Sequence, residues 1–308
     1  MKKTTIYRKL IQDAKILVSP GAYDCISARM IEKLGFAAIA TSGAGIANSF
    51  LGKPDVGLLT LTENLTVNRN IVRAVDIPVT ADADTGYGNA LNVFHTVQLF
   101  EETGVVGVNL EDQTFPKRCG HLKGKEIISR DEMTKKIEAA LTARKDPDFM
   151  IVARTDAAAI AGIREAISRA KGYLAAGADM VFPDAILSKE DIKRFVGEVQ
   201  APVSINMGLA IRQRSTTPLM SFKELEDLGV ARVTFPRLTT AAAIKGMGAA
   251  LGAAKQSLDT GELVERPDLV AEFDEITELM KFKTYVELEK RFLPLETLQG
   301  KYGSQADD

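Results

Sequence analysis

The chain has 308 residues, 45% hydrophobic and 26% charged, with a formal net charge of −2. That balance suits a globular protein with a substantial core, and it excludes the broad basic field that nucleic acid or an anionic membrane would need. Its two cysteines, Cys25 and Cys119, read as free thiols, because a core of this size needs no disulfide staple.

The start, "MKKTTIYRKL", opens like the charged region of a secretory signal, but "IQDAKILVSPG" follows in place of a sustained apolar stretch. A cytoplasmic protein is therefore expected. From Lys15 onward, short β-rich runs alternate with longer helical ones. The runs are "KILVSPG", "AAIATSGAG", "IPVTADADTG", "GVVGVNLEDQ", "FMIVARTD", "DMVFPDA", "PVSINMG" and "ARVTFPR". Between them lie helical stretches such as "DCISARMIEKLG", "ALNVFHTVQLFEETG", "SRDEMTKKIEAALTARK", "IREAISRAKGYLAAG" and "SFKELEDLG", several ending in Gly. This alternation predicts an α/β fold, a (β/α)8 TIM-type barrel over residues 1–250. A doubly wound sheet is the alternative, but "TSGAGIANS" has Asn48 where a dinucleotide fingerprint needs its third glycine. Residues 251–308 are expected to form a helical extension, whose "EFDEITELMKFKTYVELEKRFL" carries Phe273, Ile276, Met280, Leu288 and Phe292 at roughly helical spacing. That stripe would pack on its own barrel or on a neighbouring subunit.

In such a barrel the catalytic groups sit at the C-terminal strand ends. Ser42, Asp82, Asp84, Glu111, Asp112, Arg154, Asp156, Asp184 and Asn206 all fall at or just past the last apolar residue of a run. Some would simply cap the following helices. Asp82 and Asp84, two apart, would point to the same side of an extended chain. Their repulsion is relieved either by a divalent cation, Mg²⁺ or Mn²⁺ by ligand type, or by a hydrogen-bonded turn without metal. Glu111 could complete such a sphere directly or through water. The loop "PKRCGHLKG" crowds Lys117, Arg118, Lys123 and Lys125 around Cys119 and His121. Cations should pull the Cys119 thiol down from ~8.5 toward neutrality, making it an acid/base candidate. A covalent nucleophile and a buried small hydrophobe are the other readings. Lys117, Arg118 and His121 could hold substrate carboxylates, or the charges could belong to a solvated loop.

"DADTGYG", "EDQ" followed by "KRCGH", and "ARTDA" resemble the isocitrate lyase and phosphoenolpyruvate mutase superfamily, within it the 2-methylisocitrate and 2,3-dimethylmalate lyase branch. The resemblance runs in order from about Gly21 to Pro236. It implies a Mg²⁺-dependent (β/α)8 lyase that splits a 2-hydroxy di- or tricarboxylate into pyruvate and a carboxylate such as succinate. It also implies a homotetramer with swapped C-terminal helices. Carried over by position, Asp82 and Asp84 are the metal aspartates, with Glu111 an outer partner of the ion. Asp55 lies near metal and keto acid, and Ser42, Gly43 and Ala44 cradle the keto-acid carboxylate. Cys119 is the catalytic acid, acting with Arg154, His121 and Lys117, and Gly120 and Asn206 also contact substrate. Asp184 stands where a glutamate is usual, and Ala40 where methylisocitrate lyases usually carry a tyrosine, which leaves the base for the hydroxyl proton unassigned. "NMGLAIRQRSTTP" is longer than in relatives, and its Arg212 and Arg214 either grip a further carboxylate or face solvent. Other superfamily activities, oxaloacetate decarboxylation or hydrolysis and C–P bond rearrangement, typically lack the Cys-Gly-His loop. A metal-dependent dicarboxylate binder without turnover is the non-enzyme alternative.

Overall fold

The structure, a computed structural model, describes residues 1–303. The chain divides into two compact units, the first Met1–Ala242 and the second from Ala243 onward. The first opens on α1 (Lys3–Gln12) and continues as β1 (Leu17–Ala22), α2 (Cys25–Lys33), β2 (Ile39–Thr41), α3 (Gly43–Phe50), α4 (Leu61–Ala74) and β3 (Val79–Asp82). Then follow α5 (Ala90–Thr103), β4 (Gly107–Glu111), α6 (Arg130–Ala143), β5 (Met150–Thr155), α7 (Ala157–Ala161), α8 (Ile163–Ala175) and β6 (Met180–Pro183). It closes with α9 (Lys189–Val199), β7 (Ser204–Asn206), α10 (Phe222–Asp227) and β8 (Arg232–Phe235). The eight strands run parallel in the order β6-β5-β4-β3-β2-β1-β8-β7, and a parallel bridge, Val181↔Val203, joins the two ends of the sheet. This is the expected TIM-type barrel.

Seven of the eight β-rich runs each contain one whole strand, shorter than the run because the polar strand end turns away into a βα loop, and β1 reaches one residue past its run, to Ala22. Capping side chains set the helix starts: Asp24, Thr60, Asn89, Ser129, Ser188 and Ser221 each accept a backbone N–H of the first turn. Gly104, in the left-handed region at φ 88°, ends α5 as its sequence predicts. The charged N-terminal segment, which sequence reading did not place in a helix, forms α1 because Tyr7 and Ile11 have somewhere to go. They are buried with Leu17, Val106, Met150, Val152, Met180 and Phe182 in a cluster separate from the main core.

The period of two along a strand sorts the side chains. On β5, Ile151 and Ala153 join the main core beneath the helices, whereas Met150 and Val152 join the cluster with Tyr7. Arg154, next in that second series, shares their face. The same parity carries Met180 and Phe182 to Asp184, and Ser204 to Asn206. Arg232, wholly buried on β8, shows how strictly the barrel satisfies this face: its guanidinium donates to Ser204 Oγ (2.8 Å), Tyr7 Oη (2.9 Å) and Asn109 Oδ1 (3.1 Å).

Helix α11 (Leu238–Thr260) continues into the second unit, which also holds α12 (Phe273–Leu279), α13 (Phe282–Phe292) and α14 (Leu295–Tyr302). The apolar stripe read as one helical pattern is broken, since Lys281 adopts φ 57° between α12 and α13. Phe273, Ile276, Leu288 and Phe292 are exposed. Among the described residues no helix is long and apolar enough to cross a membrane.

Candidate active site

Strand ends β2 to β8 bring most of the sequence-selected residues to one small cavity of about 40 Å³, walled by Ser42, Ala44, Asp55, Asp82, Cys119, Gly120, His121, Arg154, Asp184 and Asn206, with Pro236 and Arg237 added. Ser42 caps α3, its Oγ accepting Gly45 N–H at 3.0 Å, so the first turn of α3 faces the site. Gly43 leaves room for the two carboxylates: a Cβ there would stand 2.8 Å from Asp82 Oδ2 and 3.4 Å from Asp84 Oδ1 and would push the Asp82 carboxylate aside. The two aspartates do converge, but by a different route from the one the spacing suggests. The strand stops at Asp82, and Asp84 is in the left-handed region at φ 48°, its N–H donating to Asp82 Oδ1 at 3.1 Å. A turn, not strand parity, brings the carboxylates together. It is held from behind by fully buried Asn64, whose Nδ2 donates to Asp82 O and to Tyr87 Oη, each at 2.8 Å.

Below the cavity, Lys117 Nζ lies 2.6 Å from Asp55 Oδ1 and 2.7 Å from Asp84 Oδ1, almost wholly buried. Burial pulls its ammonium down, but Asp84, Asp55, Glu111 and Asp82 outweigh that and hold it well above its ordinary value. Arg154 is a second hub. Its Nε donates to Asp156 Oδ2 (2.9 Å) and its Nη2 to Asp184 Oδ2 (2.8 Å), while Nη1 lies 3.3 Å from Glu111 Oε2. Asn206 Nδ2 donates to the other Asp184 oxygen at 3.0 Å. Lys125 joins this network, donating to Asp156 Oδ1 at 2.9 Å and to Gly120 O at 2.6 Å. Two members of the crowded loop do not take part: Arg118 and Lys123 are exposed. Asp112 is also no cavity residue. It is fully buried and accepts Thr155 Oγ1, Tyr173 Oη and Arg169 Nη1, bracing β4 to β5 and α8.

The loop sits closed on this network. Cys119 N–H donates to Asp55 O at 3.0 Å, and a Cβ on Gly120 would fall inside the Asp184 carboxylate. Only a glycine lets the backbone pass there. The expected lowering of the Cys119 thiol is overturned. Burial pushes it up and Asp55 adds to the rise, with Asp184 a smaller contributor, while a hydrogen bond from the His121 N–H and, less, the Lys117 ammonium oppose it. His121 is pulled down by burial against the opposing pull of Asp184, so its imidazole is neutral. Its Nδ1 bonds Thr216 Oγ1, and its Nε2 is buried without a hydrogen-bond partner.

Charge does not balance in this site. Six buried or near-buried carboxylates, Asp55, Asp82, Asp84, Glu111, Asp156 and Asp184, face four cations, the ion-paired Lys117, Lys125 and Arg154 together with Arg237 on the cavity wall. Burial, with Asp82 and Asp55 beside it, pushes Asp84 up to about 7, and burial raises Glu111 well above the carboxylate range. Both Glu111 oxygens lack hydrogen-bond partners. Among the described residues no three acidic, His or Cys side chains form a ready coordination sphere. A pair of carboxylates with water and substrate is nevertheless the set Mg²⁺ takes, and an added divalent charge would answer the excess. The residues present therefore fit such an ion.

Arg237 and Thr216 were missed from sequence. Arg237 stands two residues past the end of β8, so the strand-end rule could have found it; Thr216 carries no local signal.

The chain is similar to known proteins in sequence and in fold. The family profile for phosphoenolpyruvate phosphomutase matches residues 7–255. A 2,3-dimethylmalate lyase of Eubacterium barkeri is 41% identical over 285 residues, 92% of this chain and 96% of the relative. A 2-methylisocitrate lyase of Aeropyrum pernix is 42% identical over 240 residues, covering 78% of this chain and 76% of its own. Among solved structures, phosphonopyruvate hydrolase in complex with oxalate and Mg²⁺ superposes with a TM-score of 0.84 at 28% identity, covering 96% of this chain and 100% of that one.

Proposed function

The chain belongs to the phosphoenolpyruvate phosphomutase family, and from that membership we propose a magnesium-dependent carbon–carbon lyase that splits a 2-methylisocitrate-like 2-hydroxycarboxylate into pyruvate and a second carboxylate. The observation that carries the reading is the meeting of Asp82, Cys119 and Arg154 on one cavity wall, with Asp84 turned toward the same Gly43. Asp82 and Asp84 would hold the ion, with Glu111 behind. When bound, it supplies positive charge to the hydroxyl and carboxylate oxygens of the substrate, easing loss of the hydroxyl proton.

The chain's own residues account for the rest. At the α3 N-terminus the Ser42 hydroxyl and the Ala44 N–H bind the keto-acid carboxylate, with Gly43, whose N–H donates to Asp82 Oδ2 at 3.3 Å, giving it room; the Ser42 N–H itself is held by Ala22 O. Asp55 fixes Lys117 beside this half. As the C–C bond opens, its electron pair moves onto the carbon beside a carboxylate of the departing fragment. Arg154, held by Asp156 and Asp184, and His121 and Asn206 meet that charge with donors already in place, a contribution of several kcal/mol per well-placed donor. Cys119, protonated at neutral pH, delivers its Sγ proton to that carbon. The loop bearing Lys117, Cys119 and Gly120 excludes water while closed and opens for exchange, since a cavity of about 40 Å³ does not admit the substrate.

The finer reading is a cytoplasmic homotetramer whose exposed C-terminal apolar stripe is covered by helix exchange between subunits. The test is pyruvate release from 2-methylisocitrate and from 2,3-dimethylmalate with Mg²⁺ and then with chelator. Metal-dependent release is expected from at least one. No release from either, with the metal present, would overturn the lyase reading and favour a dicarboxylate-binding role.

A further inference from the structure

Three polar side chains lie buried behind Asp82: Thr41 at the end of β2, and Asn64 and Asn68 one turn apart on α4. Asp82 N–H donates to Thr41 Oγ1 at 3.3 Å, and the Thr41 hydroxyl donates to Asn68 Oδ1 at 2.9 Å. Asn68 Nδ2 donates to Asn64 Oδ1 at 2.7 Å, and Asn64 Nδ2 returns to Asp82 O at 2.8 Å. The bonds run one way round a closed ring that begins and ends on Asp82. The remaining amide hydrogens are also used, since Asn68 Nδ2 donates to Asn64 O at 2.9 Å and Asn64 Nδ2 to Tyr87 Oη at 2.8 Å.

The ring stands where the sheet leaves Asp82 without a neighbour. The ladder between β2 and β3 ends at Ala40↔Thr80, because β2 stops at Thr41 and Ser42 turns away to cap α3. Thr41 Oγ1 and Asn64 Nδ2 take the place of the missing ladder bonds. The turn that follows needs such an anchor: Asp84, Gly86, Tyr87 and Gly88 all lie at positive φ, between 48° and 148°, and two of them carry a Cβ, which this region disfavours. Asn64 ties the turn at both ends, through Asp82 O and Tyr87 Oη, whereas Thr96 Oγ1 and Lys136 Nζ hold its middle, through Gly86 O and Thr85 O, each at 3.1 Å. Leucine and valine would fill the same space with no hydrogen bond to satisfy, so filling the core does not account for polar groups there. What the ring adds is a fixed backbone at Asp82.

We propose that Thr41, Asn68 and Asn64 are positioning residues for the divalent ion: the ring fixes Asp82, and through the turn Asp84, so that the two carboxylates are already together when the ion arrives. This deepens the lyase reading and rests on it at one point, that Asp82 and Asp84 hold the ion. The three act through Asp82 and do not touch the ion. Fixing the outer partners of a metal ligand is commonly worth about 10- to 100-fold in affinity. A ring shares that contribution among its members, so the loss of one link forfeits most of it.

The test titrates Mn²⁺ into the full-length protein and follows the free ion by electron paramagnetic resonance, with circular dichroism melts alongside. The parent should bind Mn²⁺, and Mg²⁺ should displace it. Thr41→Val keeps the shape and removes the hydroxyl, and should raise the Mn²⁺ Kd about 10- to 100-fold. Thr41→Ser, which restores the hydroxyl, should stay within about threefold of the parent. Asn68→Leu, at a position that bonds neither Asp82 nor the turn, should weaken Mn²⁺ as much as Thr41→Val, and the double variant little more than either. Ile71→Val, in the core on the same helix, should lower the thermal midpoint and leave Mn²⁺ within about twofold, which separates lost stability from lost position. Tyr87→Phe removes only the second acceptor of Asn64 and should weaken Mn²⁺ about threefold. Folded Thr41→Val and Asn68→Leu that bind Mn²⁺ within about twofold of the parent overturn the positioning role, and if neither folds, unchanged affinity in Tyr87→Phe does so. A parent that binds no Mn²⁺ overturns the metal site and the ring's role with it. Mn²⁺ binding without pyruvate release overturns the lyase reading and leaves the ring's role standing.

Discussion

Cys119 keeps its proton at neutral pH because burial and the neighbouring Asp55 and Asp184 all disfavour the thiolate. A proton donor should be protonated at the start of the step, so the raised thiol suits an acid better than the activated nucleophile that clustered lysines suggest. Cys119→Ser should lower turnover by ~10²- to 10⁴-fold, the range for loss of a positioned general acid. Calorimetric binding of oxalate with Mg²⁺ should change by less than about twofold. Near-parental turnover would remove the proton-donor role. The lysines of this loop were legible as charges, but their partners were not. Lys117 is neutralised by Asp55, 62 positions earlier in the chain, and Lys125 by Asp156, 31 positions later. No local pattern carries such pairings.

At the scale of the element, alternation and capping made the strands and many helices readable before any contact was known. Helix α10 shows how local that information is. Ser221 and Glu224 form a reciprocal capping box, and Lys189 Nζ donates to Glu224 Oε1 at 2.8 Å. Lys189, then the Ser221 N–H and hydroxyl, hold the Glu224 carboxyl down at about 2, against an ordinary 4.5. A carboxylate lowered on folding stabilises the fold above its unfolded value and ceases to do so as pH falls through its folded one. Glu224→Gln keeps the acceptor and removes the charge. Its thermal midpoint should lie slightly below the parent's at pH 7, and the gap should close between about pH 4.5 and 2. A gap that persists unchanged at pH 2 would assign the effect to packing. Helix α1 was not legible in this way. Its polar face resembles a targeting segment until Tyr7 and Ile11 find the strand side chains that bury them.

For the whole molecule, the barrel explains why so many polar residues end strands: parallel strands deliver their C-terminal ends to one face, so residues far apart in sequence become neighbours. The second unit poses the opposite problem, since it leaves Phe273, Ile276, Phe282, Leu288 and Phe292 exposed. Apolar surface on that scale marks an interaction site. The proposed tetramer predicts a sedimenting species of about four times 33.4 kDa, and Phe273→Ser with Phe292→Ser should shift it toward smaller assemblies. A parent that sediments as a monomer would refute that assembly.

The sequence by itself determined the number and order of the strands, the helix caps, and which residues stand at the strand ends, because periodicity and capping act over a few residues. Tertiary structure alone decided that Asp82 and Asp84 meet through a left-handed turn, that Cys119 faces carboxylates more than free cations, and that Arg214 turns inward while Arg212 does not. Charge, burial and partnership depend on what other segments bring within a few ångströms, and a chain's local pattern holds no record of that.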